Sequence, residues 1–413
     1  MTRGVVLAHD YATQRGGAER VALMLARAFP GSPMYTTLYD PKGTFPDFGE
    51  IDLRTSGLDR LSLLRRSHRL ALPLLAPAVS SQKVVGDVLV ASSTGWAHGY
   101  RGATHTVVYC HAPARWLYQR ERYLGSHSNP GLAGRATHMV SAAALGGLSG
   151  RLRRWDARAA AHADLYLANS TVTQRAIAET YGIEAQVLSP PPALMPAGGE
   201  RAVPGIEPGF VLCVARLMPY KNVDAVIAAV NSLPDVHLVV VGAGPDRPRL
   251  EAMAGERVHL LGRVDDDELR WLYRNSAALA AASYEDYGLS PLEAGAFGKP
   301  SVVLRDGGYL DTVVEGRNGV FFDAPRADAI ADALVEALER PWDRRLIEMH
   351  VAHFGIESFN HRLRLAVGTF LPQSLTASQA GGNHLATSLG ADEPMAARIA
   401  EKRVSRARHR AAA

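Results

Sequence analysis

The chain has 413 residues, of which 47% are hydrophobic and 21% are charged, with a formal net charge of +4 at pH 7. These proportions are typical of a soluble globular protein with room for two domains. Two cysteines argue against a disulfide scaffold or a cysteine-based metal site. The apolar run at residues 4–9 is too short for the core of a signal peptide, and no run reaches the roughly 20 residues that span a bilayer. We therefore expect a cytoplasmic protein.

The first half of the chain alternates short apolar runs with helical patterns. The run at residues 4–9 is followed by a glycine pair and by an amphipathic helix at about residues 20–29. The later apolar runs are at residues 88–91, 106–110 and 165–168. This alternation predicts a parallel sheet covered by helices. Each run ends in polar or glycine-rich residues, where such a sheet binds its ligands.

Two features at these strand ends suggest a ligand site. Gly16 and Gly17 have no side chains, so their backbone N–H groups can approach a phosphate closely; a flexible turn is the alternative. His111 follows the run at 106–110 and could hydrogen-bond to a sugar hydroxyl, although most single histidines are structural. His9 holds the same position on the first run, with the same alternative.

A proline-rich and glycine-rich stretch divides the chain and predicts a linker. A second strand and helix series begins at residues 211–215 and continues through strand-like runs at 237–241, 258–261 and 301–304. We predict two Rossmann-like doubly wound domains that face each other across a cleft, which makes the fold class α/β. The predicted parts are an N-terminal domain at 1–190, the linker at 191–206, a C-terminal domain at 207–356, a helix at 357–372 that returns to the N-terminal domain, and a disordered basic tail at 373–413.

Two cations, Arg216 and Lys221, follow the first strand of the second domain. At the carboxyl edge of a parallel sheet, the planar fork of an arginine and the point charge of a lysine suit a diphosphate. The alternative is a solvated loop with ordinary surface charges. Lysine is scarce in this chain, which favours the functional interpretation.

Two glutamates, Glu285 and Glu293, flank a predicted helix start. Gly288 permits a tight turn, and we expect Ser290 to be the N-cap with Pro291 at the first helical position. Glu293 would then complete a capping box. The free N–H groups of this helix start favour an anion. The alternative is a solvated loop residue followed by a structural cap.

Other site classes are not indicated. Metal-ligand spacing, a Walker loop and a nucleophile elbow are missing from the sequence, and only the tail approaches the basic character of a nucleic-acid binder. Residues 60–75 mix arginines with leucines at helical spacing and could lie on the anionic inner face of a membrane. A core-facing helix with a basic outer face is the alternative.

Together these residues resemble family 4 of the retaining nucleotide-sugar glycosyltransferases, which have the GT-B fold. The resemblance runs from about residue 3 to residue 370. It is carried, in the family's order, by residues 16–19, 109–115 and 168–170, by Arg216 with Lys221, and by residues 285–293. The segment at 109–115 is similar to that of bacterial members, many of them mannosyltransferases. Ala215 and Asp286 depart from the pattern, since a glycine is common at each position.

The resemblance implies a role for each matched residue. Arg216 and Lys221 would neutralise the leaving diphosphate. Glu293 would bind the ribose, while Glu285 and His111 would face the transferred sugar from two sides. The other implied donor contacts come from Gly16, Gly17, Arg263, Val264, Tyr287, Gly288 and Leu289.

The resemblance therefore predicts a retaining hexosyltransferase that requires no metal or other cofactor. GDP-mannose is the favoured donor, and a UDP-linked sugar is the first alternative. The expected acceptor is a polysaccharide or a lipid-linked glycan at the inner membrane face, and no nucleic acid is expected as a partner. Two other classes stay open: a protein of the same fold that only binds a nucleotide or glycan, and a sugar-nucleotide epimerase.

Overall fold

The computed structural model describes residues 4–66, 68–118 and 148–371, and these form two parallel sheets. The first sheet has seven strands, numbered in chain order: β1 (Val5–His9), β2 (Met34–Thr36), β3 (Leu53–Thr55), β4 (Val88–Ser93), β5 (His105–Cys110), β6 (Leu165–Ala168) and β7 (Gln186–Val187). Across the sheet their order is β3-β2-β1-β4-β5-β6-β7, and every neighbouring pair is parallel. The helices that accompany it are α1 (Gly17–Ala28), α2 (Ser62–Arg66), α3 (His68–Ser81), α4 (Arg115–Tyr118) and α5 (Thr171–Tyr181), with residues 148–162 also helical.

The second sheet has six strands: β8 (Val211–Val214), β9 (Leu238–Val241), β10 (Val258–Gly262), β11 (Ala278–Ala281), β12 (Ser301–Leu304) and β13 (Gly319–Phe322). Their order is β10-β9-β8-β11-β12-β13, again with parallel pairing. The following helices are α6 (Val223–Asn231), α7 (Arg247–Met253), α8 (Asp266–Asn275), α9 (Ser290–Ala296), α10 (Tyr309–Thr312), α11 (Ala327–Glu339), α12 (Arg344–Ala352) and α13 (Ile356–Gly368). Among the described residues, no helix is long and apolar enough to cross a bilayer.

Apolar cores cover both faces of each sheet. Because successive side chains of a strand point to opposite faces, Val88 and Val90 of β4 join one core while Leu89 and Ala91 join the other. This two-sided burial explains why the central strands read as continuous apolar runs rather than as alternating patterns. The two doubly wound sheets confirm the predicted α/β class.

The last described helix, α13, lies against the first sheet. Phe359 and Leu363 belong to the same apolar core as Leu7 of β1. The Arg364 Nε donates to the Ala28 carbonyl at 3.0 Å, which fixes the helix to the end of α1. The chain thus returns to the first sheet after completing the second, although the boundaries predicted for the domains remain predictions. The predicted tail at 373–413 lies outside the described residues.

The chief differences from the sequence predictions are short strands and helix starts. Strands β2, β3, β7, β11 and β13 have two to four residues each and were not predicted. Such lengths provide too few residues for a periodic pattern. Helix α1 begins at Gly17, three residues before the predicted start.

Candidate functional site

The second sheet brings Lys221 and Glu285 into contact, although they are 64 residues apart in sequence. Lys221 ends a short 3-10 helix after β8, and Glu285 lies in the loop after β11, the neighbouring strand. The Lys221 Nζ donates to the Glu285 Oε1, which also accepts from the Ser283 hydroxyl at 2.7 Å. These side chains are only 13% and 27% exposed, so solvent screens the pair less than a surface ion pair.

The loop that carries Arg216 is packed against a pair of glycines. A Cβ on Gly242 would lie 1.9 Å from the Ala215 carbonyl oxygen, and one on Gly244 would lie 2.1 Å from that of Leu217. These glycines therefore permit a close approach of two backbones, which accounts for them without a ligand. The approach holds the loop at the carboxyl edge of β8, with Arg216 exposed.

Glu285 is supported from behind by a second glycine pair that sequence reasoning missed. The Gly308 N–H donates to the Glu285 carbonyl at 2.7 Å. Gly307 has a φ of 66°, and a Cβ there would lie 2.4 Å from the same carbonyl oxygen. The sequence signal was available, since residues 306–308 read Asp-Gly-Gly, one residue after the strand-like run at 301–304.

Substitution of Gly307 with alanine is expected to destabilise the fold by about 1–3 kcal/mol, because alanine is strained at positive φ. The displaced Glu285 backbone should also lower any activity that depends on this site. Thermal unfolding and activity measurements check both effects. Gly150→Ala is the matched control, since a Cβ there meets nothing within 4 Å. Equal behaviour of the two variants would contradict the supporting role.

The predicted capping box at α9 is wrong. The N-cap is Leu289, Ser290 is already the first helical residue, and the cap makes no side-chain hydrogen bond. The Glu293 carboxylate instead accepts from the Tyr273 hydroxyl at 2.8 Å, and burial raises the pKa of Glu293. The predicted tight turn is present, because Gly288 has a φ of 75°.

The two halves of the chain meet where several candidate residues lie. Gly16 is the N-cap of α1, and a Cβ on Gly17 would lie 3.8 Å from the Leu289 side chain. The Tyr287 hydroxyl donates to the Pro190 carbonyl at 2.8 Å. The glycine turn of the first domain and the turn before α9 therefore face each other.

A further contact joins the domains beside this turn. The Asp311 carboxylate accepts from the Thr171 N–H at 2.7 Å and from the Thr171 hydroxyl at 2.6 Å. Arg263 and Val264 lie elsewhere, after β10 and two strands from β8. Arg263 is exposed, whereas Val264 packs against the core of the second sheet.

Glu19 is a buried acid beside the glycine turn, and sequence reasoning assigned it no role of its own. It is 1% exposed, and its Oε2 lies 2.6 Å from where a Cβ on Gly16 would be. Burial, with a smaller contribution from the charge of Asp10, raises the pKa of Glu19 from 4.5 to about 7. A carboxyl in this position is partly protonated near neutral pH.

This raised pKa predicts a pH dependence of stability. Between pH 4.5 and about 7 the folded chain holds a proton on Glu19 that the unfolded chain releases, so the free energy of unfolding falls as pH rises. The fall is at most about 3 kcal/mol. Urea denaturation at about pH 5 and about pH 8 should show it in the wild type but not in Glu19→Gln. Glu339→Gln, at an exposed position, serves as the control, and an unchanged fall in Glu19→Gln would contradict the assignment.

The first sheet contributes a buried polar chain at its carboxyl edge. The Ser92 hydroxyl lies 3.0 Å from the His9 Nδ1 and 2.9 Å from the His111 Nε2. The His111 carbonyl accepts from the Asn169 side chain at 3.2 Å, which ties it to the end of β6. His111 is 7% exposed, so its side chain is largely enclosed by the protein.

A second polar chain lies beside the first. The Ser93 hydroxyl lies 3.0 Å from the His98 Nδ1, and the His98 Nε2 lies 3.0 Å from the Asp156 Oδ1. The order Ser-His-Asp is that of a hydrolase triad, but Ser93 is 1% exposed and Asp156 is fully buried. We interpret this chain as structural, because a substrate carbonyl could not reach the hydroxyl.

Comparisons with known proteins agree with this architecture. Residues 200–349 match the family model described as "Glycosyl transferases group 1". A GDP-mannose-dependent alpha-(1-6)-phosphatidylinositol monomannoside mannosyltransferase of Mycolicibacterium smegmatis is 31% identical over 202 residues, or 44% of this chain and 52% of that protein. A D-inositol 3-phosphate glycosyltransferase of Mycolicibacterium gilvum is 35% identical over 151 residues, or 33% and 34%. The chain thus spans about half or less of the length of these relatives.

Solved structures match nearly the whole chain. The Anabaena protein HepE in complex with UDP-glucose has a TM-score of 0.63 and 18% identity, covering 88% of this chain and 99% of that one. Sucrose-phosphate synthase of Thermosynechococcus elongatus has a TM-score of 0.60 and 18% identity, covering 92% and 98%. The chain therefore has the GT-B fold, and residues 200–349 of its second half match the model of the group 1 glycosyl transferases.

Proposed function

We propose that this protein is a glycosyltransferase that moves a hexose from a nucleoside-diphosphate sugar to a glycan acceptor. The observation that carries the proposal is the contact between Lys221 and Glu285 at the carboxyl edge of the second sheet. A cation suited to phosphate and a carboxylate suited to sugar hydroxyls lie side by side there. The family match over residues 200–349 supports it.

The proposed chemistry retains the configuration of the sugar. The bond between the sugar C1 and the phosphate oxygen breaks through an oxocarbenium-like state, and the acceptor oxygen bonds to C1 from the same face. The acceptor proton passes to the departing phosphate. Arg216 and Lys221 would stabilise the charge that develops on that phosphate, which is the role a divalent metal otherwise fills.

We favour GDP-mannose as the donor. The segment around His111 supports this choice, as does the name of the Mycolicibacterium smegmatis relative, which is a GDP-mannose-dependent mannosyltransferase. Glu293, half-buried and hydrogen-bonded to Tyr273, is the proposed ribose ligand. Glu285 and His111 are the proposed sugar ligands, and the backbone of Gly17 and of residues 287–289 would line the phosphates.

A donor screen tests the proposal. The protein is incubated with GDP-mannose, UDP-glucose or ADP-glucose in the presence of EDTA, and release of the nucleoside diphosphate is followed. We expect release from GDP-mannose, with further turnover when a lipid-linked or polysaccharide acceptor is added. Turnover of UDP-glucose alone would select the alternative donor. Nucleotide binding without turnover would indicate a binding protein, a free epimerised sugar would indicate an epimerase, and dependence on added Mg²⁺ would refute the metal-free account.

We further propose that the acceptor is reached at an anionic membrane surface. Leu61, which precedes α2, is 55% exposed, and Leu63 within α2 is 66% exposed. The same helix carries Arg65 and Arg66. Leu64 is buried and anchors the helix to the protein core. The helix therefore presents its other apolar side chains and its basic side chains outward. This combination suits the interface of an anionic bilayer.

Reversal of both charges in Arg65→Glu/Arg66→Glu is expected to weaken binding to phosphatidylglycerol vesicles by at least about tenfold, since each basic residue near such a surface contributes roughly 1 kcal/mol. Co-sedimentation with vesicles measures the change. Arg326→Glu/Arg340→Glu, on the second domain, gives a matched change of net charge. An equal loss in both double variants, or no loss in the first, would contradict the membrane surface.

A further inference from the structure

Three buried side chains link the carboxyl ends of neighbouring strands β1, β4 and β5. His9 is 2% exposed, Ser92 is fully buried and His111 is 7% exposed. The serine hydroxyl lies between the two rings, 3.0 Å from the His9 Nδ1 and 2.9 Å from the His111 Nε2. His9 also stacks on Phe48 with an interplanar angle of 22°, which fixes its ring plane.

A serine hydroxyl has one proton, so it donates to one ring and accepts from the other. Two arrangements are therefore open. In the first, the His9 Nδ1 carries a proton and donates to Ser92, which donates to the His111 Nε2. In the second, every direction is reversed, and the His9 proton lies on Nε2.

The surroundings of His9 distinguish the two arrangements. Its Nε2 is buried and has no hydrogen-bond partner. A proton on Nε2 would be a buried N–H donor without an acceptor, which native structures rarely contain. In the first arrangement Nε2 is an unsatisfied acceptor, which native structures tolerate more often than an unsatisfied N–H donor, so the first arrangement is favoured. Burial also lowers the pKa of His9, against a smaller opposing effect of Asp10, so the ring is neutral and only one nitrogen carries a proton.

We propose that His9 and Ser92 are positioning residues that fix the proton of His111 on Nδ1, so that this ring presents an N–H donor to the transferred sugar. The contact with sugar rests on the proposed function, whereas the direction of the hydrogen bonds rests on the three side chains alone. The His111 Nε2 accepts the hydrogen bond that the Ser92 hydroxyl donates. His111 therefore acts as a hydrogen-bond donor through Nδ1, and it does not exchange a proton with substrate through Nε2.

Long-range ¹H–¹⁵N correlation spectra of the full chain with ¹⁵N-labelled histidine test this directly, because the two tautomers give different patterns. The signals of the two rings are identified by their loss in His9→Gln and His111→Gln. We expect Nδ1–H for both rings at neutral pH. Nε2–H at His111 would overturn the proposal, whatever the activity of the protein.

A variant series tests the consequence for transfer. Ser92→Ala should lower kcat/KM about tenfold and give His111 a mixture of tautomers, while GDP, which lacks the transferred hexose, binds as before. Ser92→Thr restores the hydroxyl and should restore both readouts. Ser301→Ala is the matched control, since it removes a buried strand hydroxyl that has no hydrogen-bond partner. An unchanged His111 spectrum in Ser92→Ala would overturn the relay, whereas a normal spectrum without transfer from any donor would refute the proposed function and leave the relay intact.

Discussion

Replacing Lys221 with alanine is expected to lower kcat/KM for sugar transfer by about 10²–10³, the usual effect of removing one preorganised group that stabilises a developing charge. Lys221 is 13% exposed and held against Glu285, so little rearrangement is needed for it to meet a phosphate at this edge. Its loss also leaves the Glu285 carboxylate without its cation. Initial rates with varied donor concentration measure the change.

Two controls define what the Lys221 result means. Lys42→Ala makes the same substitution at an exposed position outside the site and should leave the rate unchanged. Lys221→Arg keeps the charge but changes its geometry, so partial activity is expected. Wild-type kcat/KM in Lys221→Ala would remove Lys221 from the site.

The variant Glu285→Gln is expected to lower kcat/KM by about 10²-fold or more, a loss comparable to removing one preorganised polar group from an active site. The amide keeps the shape of the side chain and can still accept from Ser283, but it has no charge for Lys221 or for the developing positive charge on the sugar. Binding of GDP alone should stay within a few-fold of wild type, because GDP lacks the sugar that Glu285 is proposed to contact.

Glu348→Gln is the matched control, since it removes a glutamate from a surface ion pair with Arg344. Surface pairs contribute little, so its activity and stability should stay near wild type. Equal weakening of GDP and GDP-mannose binding in Glu285→Gln would place the residue at the nucleotide instead of the sugar. Unchanged transfer would remove it from the site.

The sequence predicted the α/β class and the central strands because those strands are buried on both faces and appear as apolar runs. Strands β2, β3 and β7 escaped prediction since two or three residues carry no period. Helix α1 begins earlier than predicted because Gly16 and Gly17, which the sequence analysis assigned to the preceding loop, form its N-cap and first helical position. The helix propensity of a single residue did not reveal where α1 begins, because the packing of the whole helix determines its start.

The candidate site was only partly accessible from the sequence. The sequence predicted a strand before Lys221 but none before Glu285. The two residues meet in the structure because the carboxyl ends of the parallel neighbours β8 and β11 lie at one edge. The spacing of Ser290 and Glu293 suggested a cap, but the structure directs Glu293 to Tyr273, a partner that no local pattern indicates. The support of Glu285 by Gly307 and Gly308 likewise depends on a tertiary contact.

Calorimetric titration of the wild type and of Lys221→Ala with GDP, UDP and ADP, in the presence of EDTA, tests the central claim most directly. We expect one nucleoside diphosphate, GDP, to bind at a single site, and its affinity to fall at least about tenfold in Lys221→Ala because a charged hydrogen bond to phosphate is lost. Absence of binding by all three nucleotides, or equal affinity in the wild type and the variant, would contradict a donor site at Lys221 and Glu285.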